Sequence, residues 1–286
     1  MKTMQPIAES TAKSVTVSRL PPPIASDELS LRVGAVSYLN SKPLVHGLKS
    51  GLGKSGVLSL AVPSQLAHKL DSGEIDIGLI PVIEYFRHPE FRIVSNAAIA
   101  CRGPVWSVRI FFRCEPSKVQ TIALDEGSRT SAALTKVLFD ARFGYVPSTI
   151  PLALNEDPTK SKADAVLVIG DRAMHPQEFR PSFQSDWDLG QAWFEETKLP
   201  FVFAMWVARA PRFVTPELTR LLEDTRDHGL ARLHEIAQSA FETYRLSPEQ
   251  CLDYLTNYIR FFIREDEQAG LEEFRRRCVA LRLTSL

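Results

Sequence analysis

Three short runs of hydroxyl, phenol and carboxamide side chains stand where an apolar stretch gives way to a polar one. Ser37-Tyr38-Leu39-Asn40-Ser41 follows LRVGAV, Ser128-Arg129-Thr130-Ser131 follows TIALDEG, and Gly170-Asp171 follows ADAVLVI. Groups of this kind are weak nucleophiles and weak bases; their chemistry is to hold and orient a polar or anionic ligand by hydrogen bonding. Ser128-Arg129-Thr130-Ser131 is the most telling run, because it opens an amphipathic segment. Free backbone N–H groups and the helix dipole already favour negative charge there, and a carboxylate could add hydroxyl bonds to them. The competing reading is capping: a serine or threonine at a helix start commonly satisfies the helix's own donors. Ser64, opening PSQLAHKLDSG, reads as such a cap. Asn40 equally suits an Asx-turn, and Asp171 suits a cap on a short helix behind it. One cap needs only one hydroxyl, so the run at 128–131 keeps both readings open.

Other chemistries are not signalled. The sequence has no GxSxG elbow, P-loop, HExxH or SxxK, and LDEG at 124–127 does not make a GxGxxG. Neither a cofactor nor a metal is therefore expected. Cys101, Cys114, Cys251 and Cys278 show no CxxC spacing and no nearby histidines, so they read as reduced thiols rather than a zinc site. The six histidines have no spaced partners, and His88 and His175 read as exposed loop residues. Lys+Arg and Asp+Glu both number 34, which argues against a nucleic-acid binder. Arg275-Arg276-Arg277 reads as the solvated face of a last helix.

The elements that would carry these runs alternate from Leu31 onward. LRVGAV, VLSLAV and IDIGLI read as strands. A helix from Ser41 to Gly51, opened near Pro43, and a helix over PSQLAHKLDSG lie between them. This order predicts a parallel sheet with crossover helices. FRIVSNAAIACRG and VWSVRIFFR read as crossing strands. TIALDEGSRTSAALTKVLF begins a second strand–turn–helix unit, followed by a Pro-rich connection, ADAVLVIGDRAM and the long apolar strand PFVFAMWVAR. Trp193, Trp206, Phe201 and Phe203 read as core or lobe-interface packing. Beyond Pro211 the chain reads as helical, with Ser247-Pro248-Glu249-Gln250 a helix start.

The expectation is an α/β protein of two lobes joined by a hinge, with a helical C-terminal segment. Lobe one is expected over 31–110 and 207–286, and lobe two over 111–206. Residues 1–30, rich in Ser, Thr and Pro, read as a flexible leader without the apolar core of a secretory signal. No run reaches the ~18 apolar residues of a membrane span, so a cytoplasmic protein is expected. A ligand would sit between the lobes, where strand C-termini meet helix N-termini. Pattern stops there, and it says nothing of oligomeric state.

The run VGAVSYLNSKPL closely resembles the N-terminal signature of the MqnA family, the chorismate dehydratases of the futalosine route to menaquinone. The likeness continues in order through VPSQLAHKLDSGEIDIGLIPVIEY, GPVWSVRIFF, LDEGSRTSAAL, ADAVLVIGDRAM and DLGQAWFEETKLPFVFAMWVAR, covering about Leu31 to Arg209. YLTNYI and GLEEF in the tail are compatible with it. The resemblance implies the two-lobed fold of type II periplasmic binding proteins. It also implies conversion of chorismate to 3-[(1-carboxyvinyl)oxy]benzoate and water, without metal or cofactor, nucleic acid or membrane partner. In that family the substrate's own enolpyruvyl carboxylate is proposed to take the ring proton.

Carried over by motif, Asn40 matches the asparagine of SYLN and Ser107 the serine of G-P-V-x-S-V, both expected to be catalytic. Tyr38, Ser41, Ser64, Ser128, Thr130 and Ser131 are the implied substrate contacts, with Gly170, Asp171, Pro200 and Val202 as cleft wall. Ser41 departs mildly from the threonine often found in relatives. Asp171 facing a dianion would repel it, so orienting backbone groups or bonding a substrate hydroxyl suits it better. Two other functions fit the same pattern: a non-catalytic solute-binding protein for a small organic anion, and the sister 1,4-dihydroxy-6-naphthoate synthase. The SYLN turn speaks against the second.

Overall fold

The computed structural model describes residues 31–54 and 56–284; the expected leader lies outside them. In chain order the first elements are β1 (Arg32–Val36), α1 (Lys42–Val45), α2 (Leu48–Gly51), β2 (Val57–Ala61), α3 (Pro63–Asp71), β3 (Ile77–Pro81), α4 (Val82–Arg87) and β4 (Arg92–Cys101). The chain then crosses to β5 (Val108–Phe112), β6 (Thr121–Asp125), α5 (Arg129–Phe143), β7 (Ser148–Leu152), β8 (Ala165–Ile169) and β9 (Ser185–Asp188). Helix α6 (Leu189–Thr197) leads back to β10 (Phe201–Ala208). The tail is α7 (Pro216–Leu230), α8 (Leu233–Tyr244), α9 (Pro248–Asp253), β11 (Arg260–Phe262) and α10 (Glu265–Ala280).

Two mixed sheets result. One runs β11-β4-β10-β3-β1-β2, the other β7-β6-β8-β5-β9. In the first, β1 lies parallel to β2 and β3, each joined through a helical crossover, while β10 is antiparallel to both β3 and β4. In the second, β6 is parallel to β7 and β8, and β5 is antiparallel to β8 and β9. Every residue of β3, β8 and β10 is buried, as strands covered on both faces must be. Trp193, Trp206, Phe201 and Phe274 are fully buried, Trp193 crossing Phe274 edge-on at 5.9 Å.

The chain passes between sheets twice, once from β4 to β5 and once from β9 through α6 to β10. On sheet membership, we propose that the lobes divide within these two passages. A boundary at 110 would cut β5, and one at 206 would cut β10.

Local differences from the sequence expectations have physical causes. The helix expected over Ser41–Gly51 is broken, because Gly47 adopts φ 87 between α1 and α2, a conformation glycine takes at little cost. Ser64 is not a cap: extended Val62 occupies that position, Pro63 is the first helical residue, and Ser64 lies inside the first turn. The tail is not wholly helical, since Tyr254–Tyr258 forms a π-turn and β11 pairs with β4. Strands β7 and β9 are additional to the expected ones. β7 is an edge strand with Pro151 in it, which edges tolerate, and β9 is only Ser-Asp-Trp-Asp. The capping box at Ser247 and Gln250 forms as expected. His175 is buried, with Nε2 3.1 Å from the Tyr244 carbonyl, rather than exposed.

Candidate active site

The turn behind β1 is folded by its own hydroxyl. Ser41 Oγ bonds back to the carbonyls of Val36 and Tyr38, closing a 3₁₀ turn over Leu39–Ser41. That turn lifts Asn40 into the space between the sheets. Its Nδ2 donates to the hydroxyl of Tyr254 at 3.1 Å. Its Oδ1 is buried and has no partner. From the opposite side the passage from β4 to β5 presents Ser107, which is 2% exposed. Tyr254 donates to Ser107 Oγ at 2.7 Å, while the Ser107 carbonyl accepts Gly170 N–H at 2.8 Å.

The third wall is the start of α5. Ser128 caps it, taking the Ser131 N–H at 3.2 Å, and the two hydroxyls lie 2.8 Å apart. The capping and ligand readings are thus compatible here: both serines also line the space between the lobes. Gly170 forms the fourth wall at φ +66, with the Tyr38 ring so close that a Cβ would lie 3.0 Å from it. Burial, then the carboxylates of Asp125 and Asp171, push the Tyr38 phenol well above its ordinary range, so it stays a neutral donor.

These walls enclose a cavity of about 50 Å³ whose polar lining is Tyr38, Asn40, Ser107, Ser128 and Ser131, with Ile99 and Phe203 among the apolar residues. Among the described residues that line it, none is His, Lys, Asp or Glu. A wider groove of about 700 Å³ opens beside it and shares Ser128, with Ser64, Lys69 and Arg129 on its sides. Pockets for small molecules are usually several hundred Å³, so the cavity is narrower than a site that holds one.

Five of the expected contacts are brought to the cavity with Gly170: Tyr38, Asn40, Ser107, Ser128 and Ser131. The rest lie elsewhere. Ser41 is spent on its own turn. Thr130 accepts the Ile83 N–H at 3.3 Å and ties the start of α5 to α4. Ser64 faces the wider groove. Val202 and Pro200 are not on the wall: Val202 is 1% exposed, and the Pro200 carbonyl takes the Trp193 indole N–H at 3.0 Å. Phe203 and Ala204 of β10 face the cavity instead. Asp171 sits behind Gly170 and does not cap the helix after it; burial raises its pKa to about 7, against the opposing effects of the Leu39 N–H and Lys42.

Three residues that lie within the quoted motifs but are not among the expected site residues complete the arrangement: Tyr254, and Asp188 with Trp106, which fix the approach to Ser107. Away from the cleft, Asp71, His88 and Glu90 bring ligand atoms within 4.8 Å of one another on the surface, a grouping their spacing does not announce.

A family model described as menaquinone biosynthesis matches residues 31–280. Chorismate dehydratase of Thermus thermophilus is 32% identical over 260 residues, covering 85% of this chain and 93% of that protein. Chorismate dehydratase of Campylobacter jejuni is 28% identical over 247 residues, covering 86% and 92%. Among solved structures, a protein of Archaeoglobus fulgidus superposes with TM-score 0.68 at 17% identity, covering 88% of this chain and 98% of that one. The alkanesulfonate-binding protein of Xanthomonas axonopodis gives 0.61 at 16% identity, covering 90% and 94%. Those structural likenesses establish the two-lobed periplasmic-binding-protein-like fold. By its match over almost the whole described length and its identity to the Thermus protein, the chain belongs to the menaquinone biosynthesis family.

Proposed function

We propose that this chain is a chorismate dehydratase, a hydro-lyase that converts chorismate to 3-[(1-carboxyvinyl)oxy]benzoate and water. The observation that carries the mechanism is the lining of the cavity: hydrogen-bonding hydroxyls and a carboxamide, with no His, Lys, Asp or Glu. Such a wall can hold and orient a dianion, and it supplies no side chain basic enough to take a carbon-bound proton near neutral pH. The enolpyruvyl carboxylate of the substrate then serves as base, and positioning it over the ring C3–H carries much of the catalysis.

The C3–H bond breaks, its proton passing to that carboxylate and its electrons into the ring toward the ring carboxylate. The C4–O bond then breaks, the ring becomes aromatic, and the departing hydroxide takes the proton held by the enolpyruvyl carboxyl, leaving as water and restoring the carboxylate. Oriented donors at the ring carboxylate stabilise the charge that develops there. In this reading Ser107, with Ser128 and Ser131 at the helix start, holds carboxylate oxygens. The unpartnered Oδ1 of Asn40 orients the C4 hydroxyl by accepting its hydrogen.

No helix among the described residues is long and apolar enough to cross a membrane, and all four cysteines are free thiols. A cytoplasmic site of action is part of the proposal. Incubation of the purified protein with chorismate, followed by mass spectrometry, should show the enol-ether benzoate and loss of one water. Binding of chorismate without any product would leave a solute-binding role in its place.

A further inference from the structure

We infer that Tyr254 is a positioning residue of the reaction, passing a hydrogen bond from Asn40 to Ser107 so that the Ser107 hydroxyl is left to donate to a substrate carboxylate. The inference rests on the dehydratase reading for its substrate, and on geometry for its direction. Asn40 Nδ2 can only donate, so the Tyr254 oxygen accepts at 3.1 Å. The phenol hydrogen must then go elsewhere, and Ser107 Oγ accepts it at 2.7 Å. A serine hydroxyl that has accepted still holds its own hydrogen. Ser107 lines the cavity and Tyr254 does not, so that hydrogen is the one available to a ligand. Donors joined in such a chain polarise one another, and a Ser107 that accepts from a phenol donates more strongly in turn.

The phenol is built to stay in place. Tyr254 is 1% exposed and belongs to the π-turn over Tyr254–Tyr258, an irregularity frequent at functional sites. Trp106 meets its ring edge-on at 5.9 Å, and Tyr258 stands 6.4 Å away. Burial pushes the phenol far above its ordinary range, so it stays a protonated donor near neutral pH. Residues separated by 214 and 147 positions in the chain are thus joined through one oxygen.

The test compares wild type, Tyr254→Phe, Ser107→Ala and the double variant in two assays. The first is turnover of chorismate; the second is calorimetric binding of 3-hydroxybenzoate and of its uncharged amide, 3-hydroxybenzamide. Tyr254→Phe should lower kcat by about 10- to 100-fold and weaken the benzoate by about 3- to 10-fold, leaving the amide unchanged. In the Ser107→Ala background the same change should cost little more, because the donor it acts through is gone. Equal weakening of both ligands, additive losses, or wild-type behaviour would overturn the inference. If Tyr254→Phe does not fold, 3-fluorotyrosine at position 254, a more acidic phenol of nearly the same shape, should tighten the benzoate selectively; no selective change overturns the inference equally. Wild type that binds the benzoate but does not consume chorismate sinks the dehydratase reading alone, since the binding comparison needs no turnover.

Discussion

The carboxylate of Asp188 accepts the backbone N–H of Trp106 at 2.6 Å, and Trp106 is held at φ 63. A left-handed tryptophan is unfavourable by roughly 1–2 kcal/mol, so something must over-determine it. Asp188 does: it also takes the N–H groups of Val105 at 2.9 Å, Gly190 at 3.0 Å and Gln191 at 3.1 Å. One buried carboxylate therefore caps α6 and bends the passage that delivers Ser107. Asp188→Ala should destabilise the fold by about 2–4 kcal/mol and lower kcat at least tenfold. Asp188→Asn, keeping one acceptor oxygen, should fall between. Chemical denaturation beside steady-state kinetics reads both; an alanine variant with unshifted midpoint and normal kcat would remove Asp188 from this role.

Gly170 is a position where a methyl group should matter. Its φ of +66 and the 3.0 Å approach to the Tyr38 ring are two separate obstacles to Gly170→Ala. The first costs about 1–2 kcal/mol, and moving the ring adds about 1–3 kcal/mol of overpacking. Because Tyr38 lines the cavity, affinity for chorismate should fall with stability. A variant that melts like wild type and binds normally would show that the ring yields freely.

Asn40→Asp tests the carboxamide. The change removes the donor to Tyr254 and places negative charge beside a dianion. Repulsion between like charges in a water-poor cavity should lower kcat/KM by at least a hundredfold, on the order of 3 kcal/mol. Turnover within a few-fold of wild type would take Asn40 out of the site.

Much of this site was legible because strands end in polar turns that contrast with the apolar runs before them. Ser37–Ser41, Ser128–Ser131 and Gly170 stood out for that reason, and Ser107 by its motif. What could not be read has a common cause. PFVFAMWVAR is apolar on both faces, so alternation does not tell which face meets the cleft; Phe203 rather than Val202 lines the cavity. The Thr130 hydroxyl satisfies a backbone group that only the folded chain brings near, and the Ser41 hydroxyl is taken up by the carbonyls of its own turn. Tyr254 approaches Asn40 through tertiary structure alone, from a tail whose π-turn no helical period announces.

Arg129 and Glu84 link the lobes. The Arg129 guanidinium lies 3.0 Å from Glu84, a 4%-exposed side chain that also meets Arg87 at 2.9 Å. Since Arg129 itself is 45% exposed, the link is worth no more than about 1 kcal/mol. Arg129→Ala should favour the open arrangement, raising KM by about two- to fivefold with less effect on kcat. Small-angle X-ray scattering should show a larger radius of gyration for the unliganded variant. Identical scattering and KM would mean that Thr130 and the Ser64–Gly127 backbone bond suffice to hold the lobes.

Asp171 should make the enzyme sensitive to pH between about 4 and 7. Burial lifts its carboxyl from 3.8 to about 7, against the opposing effects of the Leu39 N–H and Lys42. Between those values the folded state keeps a proton that the unfolded state has released, so stability falls as pH rises through this window and levels off above it. The loss amounts to at most about 4 kcal/mol. The same ionisation places a charge one residue behind the cavity wall, so KM for a dianion should rise as pH passes 7. Asp171→Asn keeps an oxygen for the Leu39 N–H while removing the titration. Relative to wild type, the variant should be more stable at pH 8, about equal at pH 4, and flatter in its KM–pH profile. Parallel stability and KM profiles for the two proteins would show that Asp171 is already ionised well below pH 7.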